Sequence, residues 1–563
     1  MSHPFFERHQ DVLQQALLAL TERGYWSPYS EMPSPRVYGE SAADDGKAAY
    51  EARLNQPFAF HPAQPGNGNT TGSEVSPYGP ALGITYPAVD PEQLLPAMHA
   101  AAANWYKAGP EVWTGVALEI VSRLNQRSFE IAHAVMHTTG QAYMMSFQAG
   151  GPHAQDRAVE AIAYAWDELR RIPGQALWEK PQGKNPPLRM QKTYRVVPRG
   201  LSLVIGCCTF PTWNAYPGLF ASLATGNAVL VKPHPGAILP LAITVEVARQ
   251  VIAEAGFNPD VICLAAHEAS ASLASDLALR PEVRLIDFTG SAANGNWLEQ
   301  HARQAQVFTE KSGVNQIVID STADLNGMLR NIAFSLVLYS GQMCTAPQNI
   351  YIPAAGIETE TGHLSFDQVV SALGVAIDKL TGDPAKAVEI LGAIQNTAVL
   401  ERIAAARERG EIVTDSRALQ HPLFAGARIQ TPLLIKIADV AAKPVTEEYF
   451  GPVSFAIATN GTADSIAIAE RIAREHGALT LSAYTTDDAV KEQLLDAAVS
   501  AGVALSLNLN GGVFVNQSAA FSDYHGTGAN PAANAALSDA AFVASRFRVV
   551  QSREPVAAAA NLS

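Results

Sequence analysis

Cysteine is scarce in this chain. Only Cys207, Cys208, Cys263 and Cys344 occur among 563 residues. So few thiols exclude a disulfide scaffold for a protein of this size. Cys207 and Cys208 are adjacent, and a bond between neighbours would be strained. No C-x-x-C pair is present. The H-x-x-x-H pair, His133 and His137, lacks the glutamate of H-E-x-x-H, because Ala134 follows the first histidine. No cysteine or third histidine lies close to it in sequence. It reads as two histidines on one face of a packed helix, and no metal site is expected. Long apolar runs are missing too. None reaches the length that spans a bilayer, and the start from Met1 to Gln10 has no apolar stretch that would mark a signal peptide. Positive charge is in deficit, with 39 Lys and Arg against 53 Asp and Glu, a formal net charge of −14 that argues against a nucleic-acid partner. What is present is globular in kind, with 48% apolar and 16% charged residues. The length exceeds what one hydrophobic core organises, so two or more domains are expected. A cytoplasmic, reducing-compartment protein with no membrane or nucleic-acid partner is the bounded expectation.

The texture changes along the chain. Residues 1 to about 84 read as an extension, with a helix from Phe5 to Leu20 and then turn-rich segments such as Gly66 to Gly72. From Asp90 to about Arg170 the apolar spacing is helical. Then come short apolar runs, Leu201–Gly206, Ala228–Lys232, Val261–Leu264 and Arg284–Phe288. Helical stretches separate them, Tyr216–Ala224, Ala237–Ala255 and Ser270–Leu279. This alternation predicts βαβ units, hence an α/β fold with a buried parallel sheet covered by helices. A second alternation, from Gln316–Ile319 through Asn349–Ile352 to Val513–Val515, predicts a second α/β domain. Leu188–Val197 and Ser545–Gln551 read as protruding strands, and the tail from Val556 to Asn561 is rich in alanine.

The residues that carry chemistry stand at the ends of these runs. Cys344 lies in Ser340-Gly341-Gln342-Met343-Cys344-Thr345-Ala346-Pro347, a loop marked by Gly341 and Pro347. A thiol there is either an inert core group or a nucleophile. Glu310 ends Gln304–Glu310, a position at the carboxyl edge of a sheet where α/β folds place ligands. It is either a solvated carboxylate or a general base. Asn214 follows the run ending at Gly206 and opens a helix. It is either a helix cap or a donor to a developing oxyanion. Lys232 ends a buried strand, and a buried lysine needs an anion unless it simply emerges into water. Phe288-Thr289-Gly290-Ser291 is a turn into a helix, which offers backbone N–H groups to phosphate or is an ordinary strand-to-helix turn. Glu448 and Phe450, in Glu447–Val453, could hold sugar hydroxyls and flank a flat ring, or form a plain turn.

Together these segments resemble the aldehyde dehydrogenase superfamily over roughly Pro87 to Arg546. Ser340–Thr345 is similar to its cysteine signature, and Glu310 to its water-activating glutamate. Asn214 beside Trp213 is similar to its oxyanion asparagine. Lys232, Gly290, Ser291, Glu448, Phe450 and Trp213 correspond to its cofactor-binding positions. The resemblance implies a Rossmann-type nucleotide-binding domain (85–184 and 199–312), an α/β catalytic domain (313–538) and a small bridging sheet (185–198 and 539–563). It implies that the Cys344 thiolate attacks an aldehyde, that Asn214 and the Cys344 backbone N–H hold the oxyanion, and that Glu310 activates water to release an acid. It also implies NAD or NADP as cofactor and a homodimer or homotetramer.

Within the superfamily, the start Tyr25–Tyr29 and the late Phe521–Gly528 resemble the phenylacetic acid degradation, PaaN-like branch. That implies a semialdehyde substrate formed by ring opening of a phenylacetyl-CoA derivative, with a CoA thioester as a partner. The chain also departs from its relatives. Lys311-Ser312-Gly313 replaces the usual Leu-Gly-Gly, Ser522-Asp523-Tyr524-His525 replaces a Pro-Phe-Gly-Gly stretch, and Pro235 stands where NAD-preferring members often carry a glutamate. Without that carboxylate nothing repels a 2′-phosphate, so the expectation leans to NADP. The rival readings are a CoA-acylating dehydrogenase, a ring-opening hydrolase and a non-catalytic binding protein.

Overall fold

The computed structural model describes residues 3–268, 272–443 and 445–556. The alanine-rich tail from 557 onward lies outside the described residues, as does the start of the helical stretch expected from Ser270, where the helix runs Leu273–Ala278.

Five parallel strands form the first sheet, in the order Ile262–Leu264, Ala228–Lys232, Leu201–Ile205, Val283–Thr289 and Gln306–Glu310. Every residue of Leu201–Ile205 and Ala228–Lys232 is buried, as helices on both faces require. The chain steps outward from Leu201–Ile205 in one direction and then returns to its other side. Such a switch point opens a crevice at the carboxyl ends of the strands. Helix Pro211–Ala224 lies directly on strand Val283–Thr289, and Gly218 permits the approach, since a Cβ there would sit 2.3 Å from Asp287 Cγ.

Asp287 in turn holds the fully buried Arg546, with nitrogen–oxygen separations of 2.5 and 2.8 Å. The guanidinium lies between the rings of Phe308 and Phe542, at 4.4 and 4.2 Å from their centroids. Burying such a pair carries a desolvation cost, which further bonds to Ser222, Gly218 and Phe542 help offset. The pair ties the start of the last strand, Phe547–Pro555, to the first sheet.

Seven strands form the second sheet, in the order Glu411–Thr414, Leu433–Ile437, Val453–Thr459, Asn349–Pro353, Gln316–Ile319, Thr480–Tyr484 and Ala504–Leu507. The Glu411–Thr414 edge strand is antiparallel to its neighbour and the rest are parallel. The sheet therefore ends at Ala504–Leu507. The expected strand at Val513–Val515 is instead irregular chain after the turn at Gly511 (φ 62°), with Phe514 stacked on Phe334 at 4.3 Å.

A third sheet pairs Phe547–Pro555, Asn185–Pro198 and Gln175–Gln182 antiparallel. The fold class is the expected one, a doubly wound α/β sheet with a second α/β sheet and a small sheet between chain segments. Helices Pro91–Trp105, Pro110–Gln126, Ser128–Thr139, Tyr143–Gly150 and Pro152–Arg170 occupy the predicted helical region. Among the described residues no helix is long and apolar enough to cross a membrane.

The N-terminal extension is bound tightly to this body. Its expected single helix is two, Pro4–Arg8 and Gln10–Glu22, broken at His9, whose Nε2 is 2.7 Å from Glu119 Oε2. Arg53 reaches Glu130 and Glu246 at 2.7 and 2.8 Å. Glu74 accepts the Ile238 and Leu239 backbone N–H groups at 2.6 and 3.1 Å, capping the start of Leu239–Glu254. Burial pushes the Glu74 carboxyl up to about 6 against the pull of these bonds. His133 and His137 stack on Tyr50, at 5.7 and 5.2 Å, which gives both rings a packing role.

Candidate active site

The cysteine loop is built by a strained turn. Helix Leu325–Val337 ends, and Tyr339, Ser340 and Gly341 then take left-handed backbone angles, with φ of 51°, 49° and 61°. For a residue with a Cβ this conformation costs roughly 1–2 kcal/mol. Surrounding contacts supply the compensation. The Tyr339 hydroxyl donates to Thr139 O at 2.5 Å, and Ser340 Oγ donates to Gln430 O at 3.0 Å. Gly341 is sterically required, because a Cβ would lie 2.3 Å from Gly451 O. After the turn, Asn315 fastens the loop to the second sheet. Its Nδ2 donates to Cys344 O at 2.7 Å and to Ala346 O at 3.1 Å, while its Oδ1 accepts from Leu479 and Thr480 N. Cys344 is therefore half-buried on a rigid loop.

Glu310 is the last residue of its strand and is buried, as its position at the sheet edge suggested. Its Oε2 accepts from Asn214 Nδ2 at 3.1 Å and lies 3.2 Å from His525 Nε2. Its Oε1 is buried with no protein partner. The same His525 Nε2 stands 3.9 Å from Cys344 Sγ. A Glu310 carboxylate oxygen, Cys344 Sγ and a His525 ring nitrogen lie within 4.8 Å of one another. Burial alone would push the Glu310 carboxyl up. His525, Cys344 and Asn214 outweigh that and hold it below its usual value. Burial and the facing Glu310 carboxylate push the Cys344 thiol well up.

Asn214 does not cap its helix. The helix starts at Pro211 after Phe210, and the Asn214 N–H bonds to Phe210 O at 3.1 Å inside the first turn. The side chain is thereby free for the site. Its Oδ1 accepts from Cys207 Sγ at 3.5 Å, which turns the amide nitrogen toward Glu310. Trp213, one residue earlier, packs its ring edge-on against His525 at 4.7 Å and 82°. It thus lies on the thiol side of the site.

Lys232, Gly290 and Ser291 stand at the carboxyl ends of first-sheet strands. Lys232 is buried at its strand end and makes no ion pair among the described residues. Burial pushes its ammonium down to about 8. His234 and His267 flank it, each pushed down to about 4 by burial with Lys232 adding to the effect. His267 Nε2 is buried without a partner. A buried cation and an orphaned imidazole nitrogen suit a ligand rich in oxygen. Gly290 and Ser291 form the turn into helix Ala292–His301, where Ser291 Oγ accepts from Asn294 N at 3.3 Å.

The unusual Lys311-Ser312 pair secures this turn. Lys311 Nζ reaches Glu299 and Asn296 at 2.9 Å each, and Ser312 Oγ accepts from Ala292 N at 2.9 Å. Glu448 is half-buried. Burial pushes its carboxyl up to about 7, with Glu310 adding and the Gly313 backbone and Arg402 opposing. Phe450 lies beside it in the same loop, its carbonyl held by Arg402 at 2.5 Å.

Sequence reasoning thus brought Cys344, Glu310 and Asn214 into one site. It missed His525, Asn315 and Cys207 as members. His525 stood only inside a stretch noted for departing from relatives, and a histidine in a turn-rich segment carries no spacing signal.

The aldehyde dehydrogenase family model matches residues 66–528. An NAD-dependent aldehyde dehydrogenase from Burkholderia multivorans, known by crystal structure, is 65% identical. The match covers 99% of this chain and 100% of that one with a TM-score of 0.97. Aldehyde dehydrogenase LUC3 of Fusarium sp is 27% identical over 331 residues, 58% of this chain and 64% of the relative. The 1-pyrroline-5-carboxylate dehydrogenase of Geobacillus kaustophilus is 25% identical over 375 residues, 64% of this chain and 67% of the relative. The chain thus spans about two thirds of the length of these two curated relatives. With a family match across most of its length, an extended sheet edge carrying Glu310, and Cys344 opposite it, the chain belongs to the aldehyde dehydrogenase family.

Proposed function

We propose that this protein oxidises an aldehyde to a carboxylic acid through a thioester on Cys344, with a nicotinamide dinucleotide as cofactor. The observation that carries it is the unpartnered Oε1 of the buried Glu310, beside the Cys344 thiol. A buried carboxylate oxygen left without a donor is costly unless a ligand completes it. A water molecule there would be oriented and deprotonated for attack on a thioester. This favours hydrolysis over acyl transfer to CoA, which needs no base for water.

The residues around the crevice fit the dinucleotide. Lys232 with His267 would meet the ribose, the Gly290–Ser291 turn at a helix N-terminus the pyrophosphate, and Glu448 with Phe450 the nicotinamide ribose and ring. When bound, the nicotinamide accepts the aldehyde hydrogen as hydride. The chain supplies the rest. Cys344 Sγ forms the bond to the carbonyl carbon. The second N–H of the Asn214 amide, with the Cys344 backbone N–H, stabilises the oxyanion. Glu310 takes a proton from water, and Cys344 leaves as thiolate when the acid forms. Asn214→Ala is expected to lower kcat about 10²–10³-fold, the usual effect of losing one oxyanion donor. Steady-state kinetics check this, and an unchanged kcat would remove Asn214 from the role.

The finer reading is a semialdehyde from ring opening in phenylacetate catabolism. It is supported by the resemblance of the Tyr25–Tyr29 and Phe521–Gly528 segments to that branch. No carboxylate stands at Pro235, and Lys232, His234 and His267 gather nearby, so a 2′-phosphate meets no repulsion. An aldehyde panel run with each nucleotide, without CoA, tests both parts. Reduced-nicotinamide absorbance and free acid are expected with both nucleotides, with kcat/KM for NADP at least equal to that for NAD. A strong NAD preference sinks the NADP reading, and product formed only with CoA sinks hydrolysis.

A further inference from the structure

We infer that His525 is the base that ionises Cys344, so that the resting site holds a thiolate–imidazolium pair braced by Glu310. The argument begins with charge. Burial and the Glu310 carboxylate both push the Cys344 thiol up, so a thiolate there needs a cation in reach of both groups. Once protonated, the imidazole of His525 is that cation. Its Nε2 lies 3.9 Å from Cys344 Sγ and 3.2 Å from Glu310 Oε2. The remaining titratable and charged groups near the pair do not serve. Cys207 and Glu448 both oppose a thiolate at Cys344. Arg157 sits over the Trp213 ring at 5.4 Å and is committed to Glu160 at 2.8 Å. Lys311 is paired with Glu299.

His525 is also held as a working residue is held. The residue is buried, 4% exposed, Trp213 packs edge-on against the ring, and its carbonyl accepts from Leu537 N at 3.0 Å. Arg157 Nη1 fixes the preceding turn through Asp523 O at 3.0 Å. The proton balance is simple. With the neutral ring's hydrogen on Nδ1, the S–H bond of Cys344 breaks and the proton passes to the free lone pair of His525 Nε2; the new N–H is then shared between Glu310 Oε2 and the thiolate. The imidazolium keeps its proton while the thiolate attacks, and the sulfur leaves the acyl group later into the same ion pair. Glu310 Oε1 remains free for water. This extends the aldehyde-oxidising reading, but ionisation of the thiol precedes any substrate and stands or falls separately.

The test needs neither aldehyde nor nucleotide. Thiolate absorbance near 240 nm is measured as wild type minus Cys344→Ala. Cys207, Cys208 and Cys263 are pushed up to about 11, 12 and 12 by burial and stay protonated at pH 7. A thiolate signal at pH 7 is expected, and its absence from the wild-type difference spectrum overturns the proposal without any histidine variant. In parallel, iodoacetamide inactivation of wild type and His525→Gln is followed across pH. The variant is expected to be at least ~10-fold slower at pH 7, with the gap closing at high pH as the lone thiol ionises. Superimposable profiles, or a loss equal at every pH, would each refute it. Glu310→Gln is expected to retain the neutral-pH thiolate. If Glu310→Gln loses the signal while His525→Gln keeps it, Glu310 is the base instead.

Discussion

Cys344→Ala is expected to reduce aldehyde oxidation by at least about 10⁴-fold, to the limit of detection. Removing the nucleophile of a covalent mechanism typically costs this much or more, because the remaining binding groups cannot form the bond. Alanine keeps the Cβ, and Asn315 holds the loop through the backbone carbonyls of residues 344 and 346, not through the thiol. The strained turn at Tyr339–Gly341 is likewise held by Thr139 and Gln430. Folding and nucleotide affinity should therefore be nearly unchanged. Reduced-nicotinamide absorbance reads the activity, and nucleotide titration with thermal unfolding reads the rest. Activity within ten-fold of wild type would place the nucleophile elsewhere. Loss of activity together with a loss of folding stability would mean that the thiol packs and does not react.

How much of this site could be read from the chain depended on where each residue stood. Lys232 and Glu310 were legible because each ends a short apolar run, and the end of a buried parallel strand is a physical address. Cys344 was legible from Gly341 and Pro347, which mark a loop. Asn214 was placed near the right helix but one turn too early. A helix opening Phe210-Pro211 has proline at its first position, and that signal should have fixed the start.

His525 was illegible for a different reason. It meets Cys344 across 181 residues of sequence and Glu310 only through the fold, and no local pattern encodes such a contact. The left-handed Tyr339 and Ser340 were equally hidden, since only glycine advertises that conformation. Two errors in the sheets have plain causes. Val513-Phe514-Val515 has strand composition, but Gly511-Gly512 before it makes a turn and no neighbouring edge receives it. Gln175–Gln182 carries charges and Pro181, and the expected bounds left it in the nucleotide-binding span 85–184, outside the bridging sheet. It is an outer strand, paired on one side to Asn185–Pro198 through the turn at Gly183, where exposure makes polar composition ordinary.

Glu310→Gln separates the two halves of the reaction. Glutamine matches glutamate in shape, so the site should remain packed, but its amide cannot take a proton from water. Turnover is expected to fall about 10²–10⁴-fold, the usual value of a positioned general base. The first turnover is expected to survive, seen as a burst of reduced-nicotinamide absorbance equal to the enzyme concentration. Attack by Cys344 comes before water is needed, and the thiol is ionised by its neighbour His525. Rapid mixing with excess aldehyde measures both phases in one trace. If steady turnover is unchanged, Glu310 is not the base for water. If the burst disappears with the steady rate, Glu310 serves the thiol as well, and the division of labour between Glu310 Oε1 and His525 Nε2 is wrong. A preserved burst with slow turnover leaves one explanation for the unpartnered Oε1: the water that ends the cycle binds there.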